Sequence, residues 1–172
     1  MDLSALDLSA LDLSDSSPLS EVILLVEDND DDVFLMRRAL KEADIRSPLK
    51  LASHGDEAIA YLSGLGPFAD RVTYPLPRIV FLDLKLPYKS GHEVIAWIRA
   101  QERFAQMIVI VLTSSQEAVD LKRAYQLGAN SYVVKPPTAE QLVELAQAFK
   151  QWWLLQNRVA VPPKLPLEPE AH

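Results

Sequence analysis

The chain has 172 residues and a mass of 19.2 kDa, with 49% hydrophobic and 24% charged residues, a balance that suits one globular domain with tails. The absence of cysteine excludes disulfides, a thiol nucleophile and a zinc–thiolate site. The net charge of −7 is uneven, with ten acidic and no basic groups in residues 1–36 against fourteen acidic and seventeen basic in the rest, and no basic stripe with interleaved aromatics marks a nucleic-acid surface. The longest apolar run, Met107–Leu112, is too short to cross a membrane, and no basic residue precedes Arg37 as a secretory signal would need. The expected location is the cytoplasm.

Residues 2–16 repeat DLSAL at a period of five, which matches neither helix nor strand. Residues 1–19 are therefore expected to be a disordered tail, ended by Pro18. Strand-like and helical patterns then alternate. Val22–Val26 is an apolar strand, followed by a helix from Asp30 to Ala43 with Val33, Met36, Leu40 and Ala43 at core spacing. Leu49–Ser53 reads as a strand and Asp56–Ser63 as a short helix. The glycines and prolines of 64–77 predict a long surface loop. Ile79–Leu82 is the third strand, Gly91–Glu102 a helix, Met107–Leu112 the fourth strand and Gln116–Leu127 a helix with Gly128 as its C′ residue. Ser131–Val134 is the fifth strand, and Thr138 caps a last helix to Gln156. Five strands alternating with five helices predict a parallel sheet with helices on both faces over residues 20–157. A proline-rich tail occupies 158–172.

Four strand runs end in reactive polar residues: Glu27 and Asp28, Asp83, Thr113, and Lys135. In an open α/β sheet the ligand crevice lies at the carboxyl ends of the strands, where the strand order reverses. Three converging carboxylates would repel one another without compensation. A hard divalent cation with oxygen ligands, such as Mg²⁺, and the Lys135 ammonium both supply it. The spacing Asp28-x-Asp30-x-Asp32 imitates an EF-hand loop, but Val33 and Ala39 stand where that loop needs Gly and Glu. Asp30–Asp32 read as the first turn of a helix, complementing its dipole. A carboxylate beside Mg²⁺, a hydroxyl and a lysine is what an aspartyl-phosphate site needs.

The segments ILLVEDNDDD, IVFLDLKLP, IVLTSS and YVVKPP resemble those of the receiver domain of two-component response regulators. That resemblance implies a doubly wound (βα)5 flavodoxin-like sheet in the order 2-1-3-4-5, and that Asp83 takes a phosphoryl group from a histidine kinase. It implies that Asp28, Asp83 and the backbone carbonyl of Lys85 hold Mg²⁺, with Glu27 acting through water. Thr113 and Lys135 would read the phosphoryl group, Tyr132 would be the aromatic switch on the fifth strand, and the bond before Pro136 would be cis. The departures are Glu in place of Asp in the acidic pair, and Lys85 two residues after the acceptor. A haloacid-dehalogenase-type phosphatase would need a second Asp at position 85. The chain is thus expected to be a phospho-acceptor and not an enzyme. Loop 64–77, the YLSG segment and the final WWL resemble single-domain regulators partnered with phytochromes, with a regulator of some other hybrid kinase, or a scaffold that works without phosphorylation, as alternatives.

On a wheel of 100° per residue Leu142, Leu145, Ala146, Phe149, Trp152 and Trp153 form a core stripe, yet the run Trp152–Leu155 wraps the helix on every side. An exposed apolar patch of that kind marks an interaction site, and a homodimer through Trp153 and Leu154 is expected. His54 and His92 read as surface or loop histidines, Trp97 as core, and Ser114 and Ser115 as caps of the fourth helix.

Overall fold

The computed structural model describes residues 22–156, so both expected tails lie outside the described residues. Five short strands, β1 (Ile23–Val26), β2 (Leu49–Ala52), β3 (Ile79–Leu82), β4 (Ile108–Thr113) and β5 (Ser131–Val134), alternate with helices α1 (Asp30–Glu42), α2 (Gly55–Ser63), α3 (Gly91–Arg99), α4 (Ala118–Gln126) and α5 (Ala139–Phe149). All strand pairings are parallel, in the order β2-β1-β3-β4-β5. This is the doubly wound sheet that the alternation predicts.

Side chains on a strand alternate between faces, and here both faces are apolar. Leu24, Val26, Val80, Leu82, Val109 and Val111 pack under α2, α3 and α4, while Ile23, Leu25, Ile79, Phe81, Ile110 and Leu112 pack under α1 and α5. That double burial explains why β1, β3 and β4 read as unbroken apolar runs. Caps set the helix starts. Asn29 accepts from the amides of Asp31 and Asp32, Ser90 and Glu93 form a capping box, and Thr138 accepts from Gln141. His54 is the N-cap of α2, its Nδ1 accepting from the Glu57 amide at 3.1 Å. α4 begins two residues later than the pattern suggests, without a side-chain cap on Glu117. Gly128 follows it with φ +98°, as a C′ glycine should.

Segment 64–77 is more structured than a surface loop. It contains a 3₁₀ turn at Gly66–Phe68, and Tyr61, Phe68 and Tyr74 form a three-ring cluster with centroids 5.1–5.9 Å apart. The Arg71 guanidinium donates to the carbonyls of Tyr61 (2.7 Å), Leu62 (2.8 Å) and Tyr74 (3.1 Å), tying the segment to the end of α2. Beyond Phe149 the chain continues as a π-helix, Lys150–Gln156. Its i→i+5 pattern has more residues per turn than 3.6, so the 100° wheel fails there. Trp152 leaves the core stripe and is 65% exposed, whereas Trp153 is half-buried against the α1–α5 side of the core.

Candidate functional site

The register of the sheet assembles the site. Val26 pairs with Leu82 and Leu82 with Val111, so the residues that follow them emerge side by side at the carboxyl edge. The Asp83 amide donates to the Val26 carbonyl at 3.1 Å, and the Lys135 amide to the Thr113 carbonyl at 2.8 Å. Glu27, Asp83 and Thr113 are buried, while Asp28 stands exposed at the rim. Glu27, Asp28 and Asp83 each offer a carboxylate oxygen, all within 4.8 Å of one another. A hard, all-oxygen set of this kind fits a divalent cation.

The Lys135 ammonium lies at the centre of this acidic edge. Its Nζ donates to Glu27 Oε2 at 2.7 Å, Asp32 Oδ2 at 2.7 Å and Asp83 Oδ2 at 2.9 Å, which uses all three of its N–H donors. Burial works against its charge, but the hydrogen bonds to the three carboxylates outweigh it and hold the amine well above the ordinary lysine range. Burial also pushes the Asp83 carboxyl up. The Lys135 and Thr113 side chains and the Lys85 amide, 3.2 Å from Asp83 Oδ1, prevail and keep it below the ordinary range. For Glu27 the balance reverses. Burial raises its carboxyl and the neighbouring Asp83 charge adds to the rise, against the lowering effect of Lys135 and of the Asn29 amide at 3.2 Å. The site therefore holds an ionised, buried Asp83 in contact with a fixed cation, beside the carboxylates of Glu27, Asp28 and Asp32.

Tyr132 stands half-buried one strand away, its hydroxyl donating to the Ser115 carbonyl at 3.1 Å. Ser115 is itself buried; its hydroxyl donates to Asp120 Oδ2 at 2.6 Å and its amide to Thr113 Oγ1 at 3.3 Å. Ser115 thus tethers the start of α4, although Glu117 is the formal cap position. Lys85 is exposed.

Two expectations are corrected. No peptide bond among the described residues is cis, so Lys135–Pro136 is trans. The Lys135 side chain reaches all three carboxylates with the trans bond, which X-Pro pairs favour by about 0.5–1 kcal/mol. His92 is buried and not a surface histidine, with Nε2 3.3 Å from the Asp120 carbonyl, which accepts from it. Reading the sequence also missed Asp32 as a site residue, since an acid in a first helical turn already has a local explanation. Of the dimer residues, Trp153 is half-buried in the π-helical segment; the side chain of Leu154 lies outside the described residues.

Comparison with known proteins decides the family. The model of the response regulator receiver domain matches residues 23–147. The chain belongs to the response regulator receiver domain family. This receiver is 39% identical over 137 residues to the probable methanogenesis regulatory protein FilR2 of Methanothrix harundinacea, covering 80% of the chain and 86% of FilR2. It is 34% identical over 142 residues to the response regulator Rcp1 of Synechocystis, covering 83% of the chain and 95% of Rcp1. A solved form of Rcp1 with Mn²⁺ bound superposes with a TM-score of 0.74 at 33% identity, over 82% of the receiver and 99% of that chain. The phosphorylated cyanobacterial phytochrome response regulator RcpA gives a TM-score of 0.76 at 31% identity, over 83% of the receiver and 99% of its own chain. Among the described residues, no helix of the receiver is long and apolar enough to cross a membrane.

Proposed function

We propose that this receiver accepts a phosphoryl group on Asp83 from a phosphohistidine of a sensor kinase, with Mg²⁺, and that it acts as a signalling phospho-acceptor and not as an enzyme on a diffusible substrate. The reading rests above all on the contact between the ionised Asp83 and the Lys135 ammonium at 2.9 Å. An Asp83 oxygen attacks phosphorus as the bond to the imidazole nitrogen breaks, and the leaving electron pair stays on that nitrogen. Lys135 faces the charge on the phosphoryl oxygens and Thr113 donates its hydroxyl to one of them. Asp28, Asp83 and the Lys85 carbonyl would hold Mg²⁺, with Glu27 acting through water, and its charge, when bound, offsets that of the phosphoryl oxygens. Incubation with acetyl phosphate and Mg²⁺, read by intact mass, should add one phosphate to the wild type and none to Asp83→Asn. An equal yield in the variant would refute the assignment.

The likeness to Rcp1 and RcpA favours a phytochrome-type kinase and a light-signalling pathway. The likeness to FilR2 supports the second reading, a regulator serving a kinase that does not sense light. Phosphotransfer assays with a phytochrome kinase and with a light-independent hybrid kinase separate the two by rate. We further propose a homodimer built on Trp153 and Leu154 of the last helix, where exposed Trp152 extends the apolar surface. Two-fold association buries the same patch on both chains, so Trp153→Glu with Leu154→Glu should give a monomer by light scattering. A monomeric wild type, with and without beryllofluoride, would end that reading.

A further inference from the structure

Asp32 stands outside the carboxylate cluster that fits a cation, yet it binds Lys135 at 2.7 Å, as short a contact as Glu27 makes. Its place is fixed locally: Asn29 Oδ1 accepts from the Asp32 amide at 3.1 Å and from the Asp31 amide at 2.9 Å, locking the first turn of α1. Asp31 is exposed and has no such reach across the sheet edge. We propose that Asp32 is a positioning residue that anchors the Lys135 ammonium over the site while Asp83 and Glu27 change their own partners.

The physical basis is a division among the three carboxylates. If Asp83 is phosphorylated as proposed above, its carboxylate becomes an acyl phosphate, a mixed anhydride, and gives up its own charge. If Glu27 turns toward a cation, its grip on Lys135 weakens. Asp32 is the only one of the three that neither event touches. A lysine is a flexible, strongly hydrated cation, and with one donor tied to α1 it keeps its direction when the other two are released to the phosphoryl oxygens. Charge-assisted hydrogen bonds of this length are the strong ones. Asp32 therefore acts through Lys135 on how fast the phosphoryl group is gained and how long it stays.

This inference rests on Asp83 as acceptor, and the test keeps the two apart. Phosphorylation of the full chain by acetyl phosphate and Mg²⁺ is followed by intact mass for Asp32→Asn, for Asp31→Asn, and for Asp32→Asn in a Lys135→Ala background. Asp32→Asn should slow phosphorylation by about five- to tenfold, Asp31→Asn should leave it unchanged, and Asp32→Asn should add no further loss once Lys135 is alanine. Equal losses with and without Lys135 would mean that Asp32 merely holds α1, and would overturn the proposal. Urea unfolding reads the pair without phosphoryl chemistry. Asp32→Asn should destabilise the protein more when Lys135 is present than in the Lys135→Ala background, where the favourable helix dipole and repulsion from neighbouring carboxylates oppose each other. An equal cost in both backgrounds would also overturn it. A wild type that gains no phosphate while the cost of Asp32→Asn still depends on Lys135 would sink the acceptor assignment and leave the anchoring of Lys135 by Asp32 standing.

Discussion

The Tyr132 hydroxyl donates to the Ser115 carbonyl at 3.1 Å, and the Ser115 amide donates to Thr113 Oγ1 at 3.3 Å, so one residue joins the edge of the site to the outer face of β5. Thr113 also holds the Asp83 carboxylate through its side chain. A hydroxyl has few bonds to share, and drawing Thr113 toward a phosphoryl oxygen loosens its hold on the Ser115 amide. Tyr132→Phe deletes one end of this chain of bonds at a cost of about 0.5–1.5 kcal/mol. Phosphorylation of Asp83 should persist in the variant, while the amide shifts induced by beryllofluoride in Ala118–Gln126 should shrink. Full-sized shifts in the variant would contradict this route.

Gly91 opens α3 directly under the site. Its amide donates to the Leu84 carbonyl at 3.0 Å, and a Cβ added there would overlap the backbone carbonyl of Asp83 and the Cα of Leu84. Backbone cannot swing aside as the end of a long side chain does. Gly91→Ala should cost about 1–3 kcal/mol, seen as a lower urea midpoint with an unchanged slope. It should also slow phosphorylation, because the shift falls on Asp83, the proposed acceptor. Unchanged stability would mean that α3 can slide away from β3.

Arg71 satisfies three carbonyls, two of them at the end of α2, where helix carbonyls lack partners in the helix. Arg71→Ala takes this donor from the Leu62 and Tyr74 carbonyls and leaves the Tyr61 carbonyl with the Gly64 amide at 3.2 Å, at about 1–3 kcal/mol. Limited proteolysis should then cut between Gly64 and Pro77 faster than in the wild type, with phosphorylation of Asp83 retained because the segment lies away from the carboxylates.

The acid side of the stability curve carries a signature of Asp83. Its carboxyl titrates below 3.8 in the fold, so its contribution is present above the unfolded value and is lost as pH falls through the folded one. Glu27 is raised above 4.5; its neutral form favours the fold at low pH, and that contribution is lost as pH rises through its folded value. Asp83→Asn removes the first effect and only weakens the second, because burial, the main cause of the Glu27 shift, stays. The stability of the wild type relative to the variant should therefore fall between about pH 5 and about pH 3. Urea unfolding at several pH values checks it, and a rise toward acid would reverse the assigned sign.

The sequence by itself determined the sheet and the site's principal residues. Each strand is a local apolar run ended by a polar residue, and a doubly wound parallel sheet brings such ends to one edge. Glu27, Asp28, Asp83, Thr113 and Lys135 were legible for that reason. The tertiary structure decided what depends on distant partners or on the exact turn of a helix. Asp32 meets Lys135 across 103 residues of chain, and nothing local separates it from Asp30 and Asp31. His92 is buried because α4 packs its Asp120 carbonyl against it, and Arg71 is structural because α2 ends beneath it. Trp152 and Trp153 part company because the last turns are π and not α, a change of pitch that an apolar run read at 100° per residue does not encode.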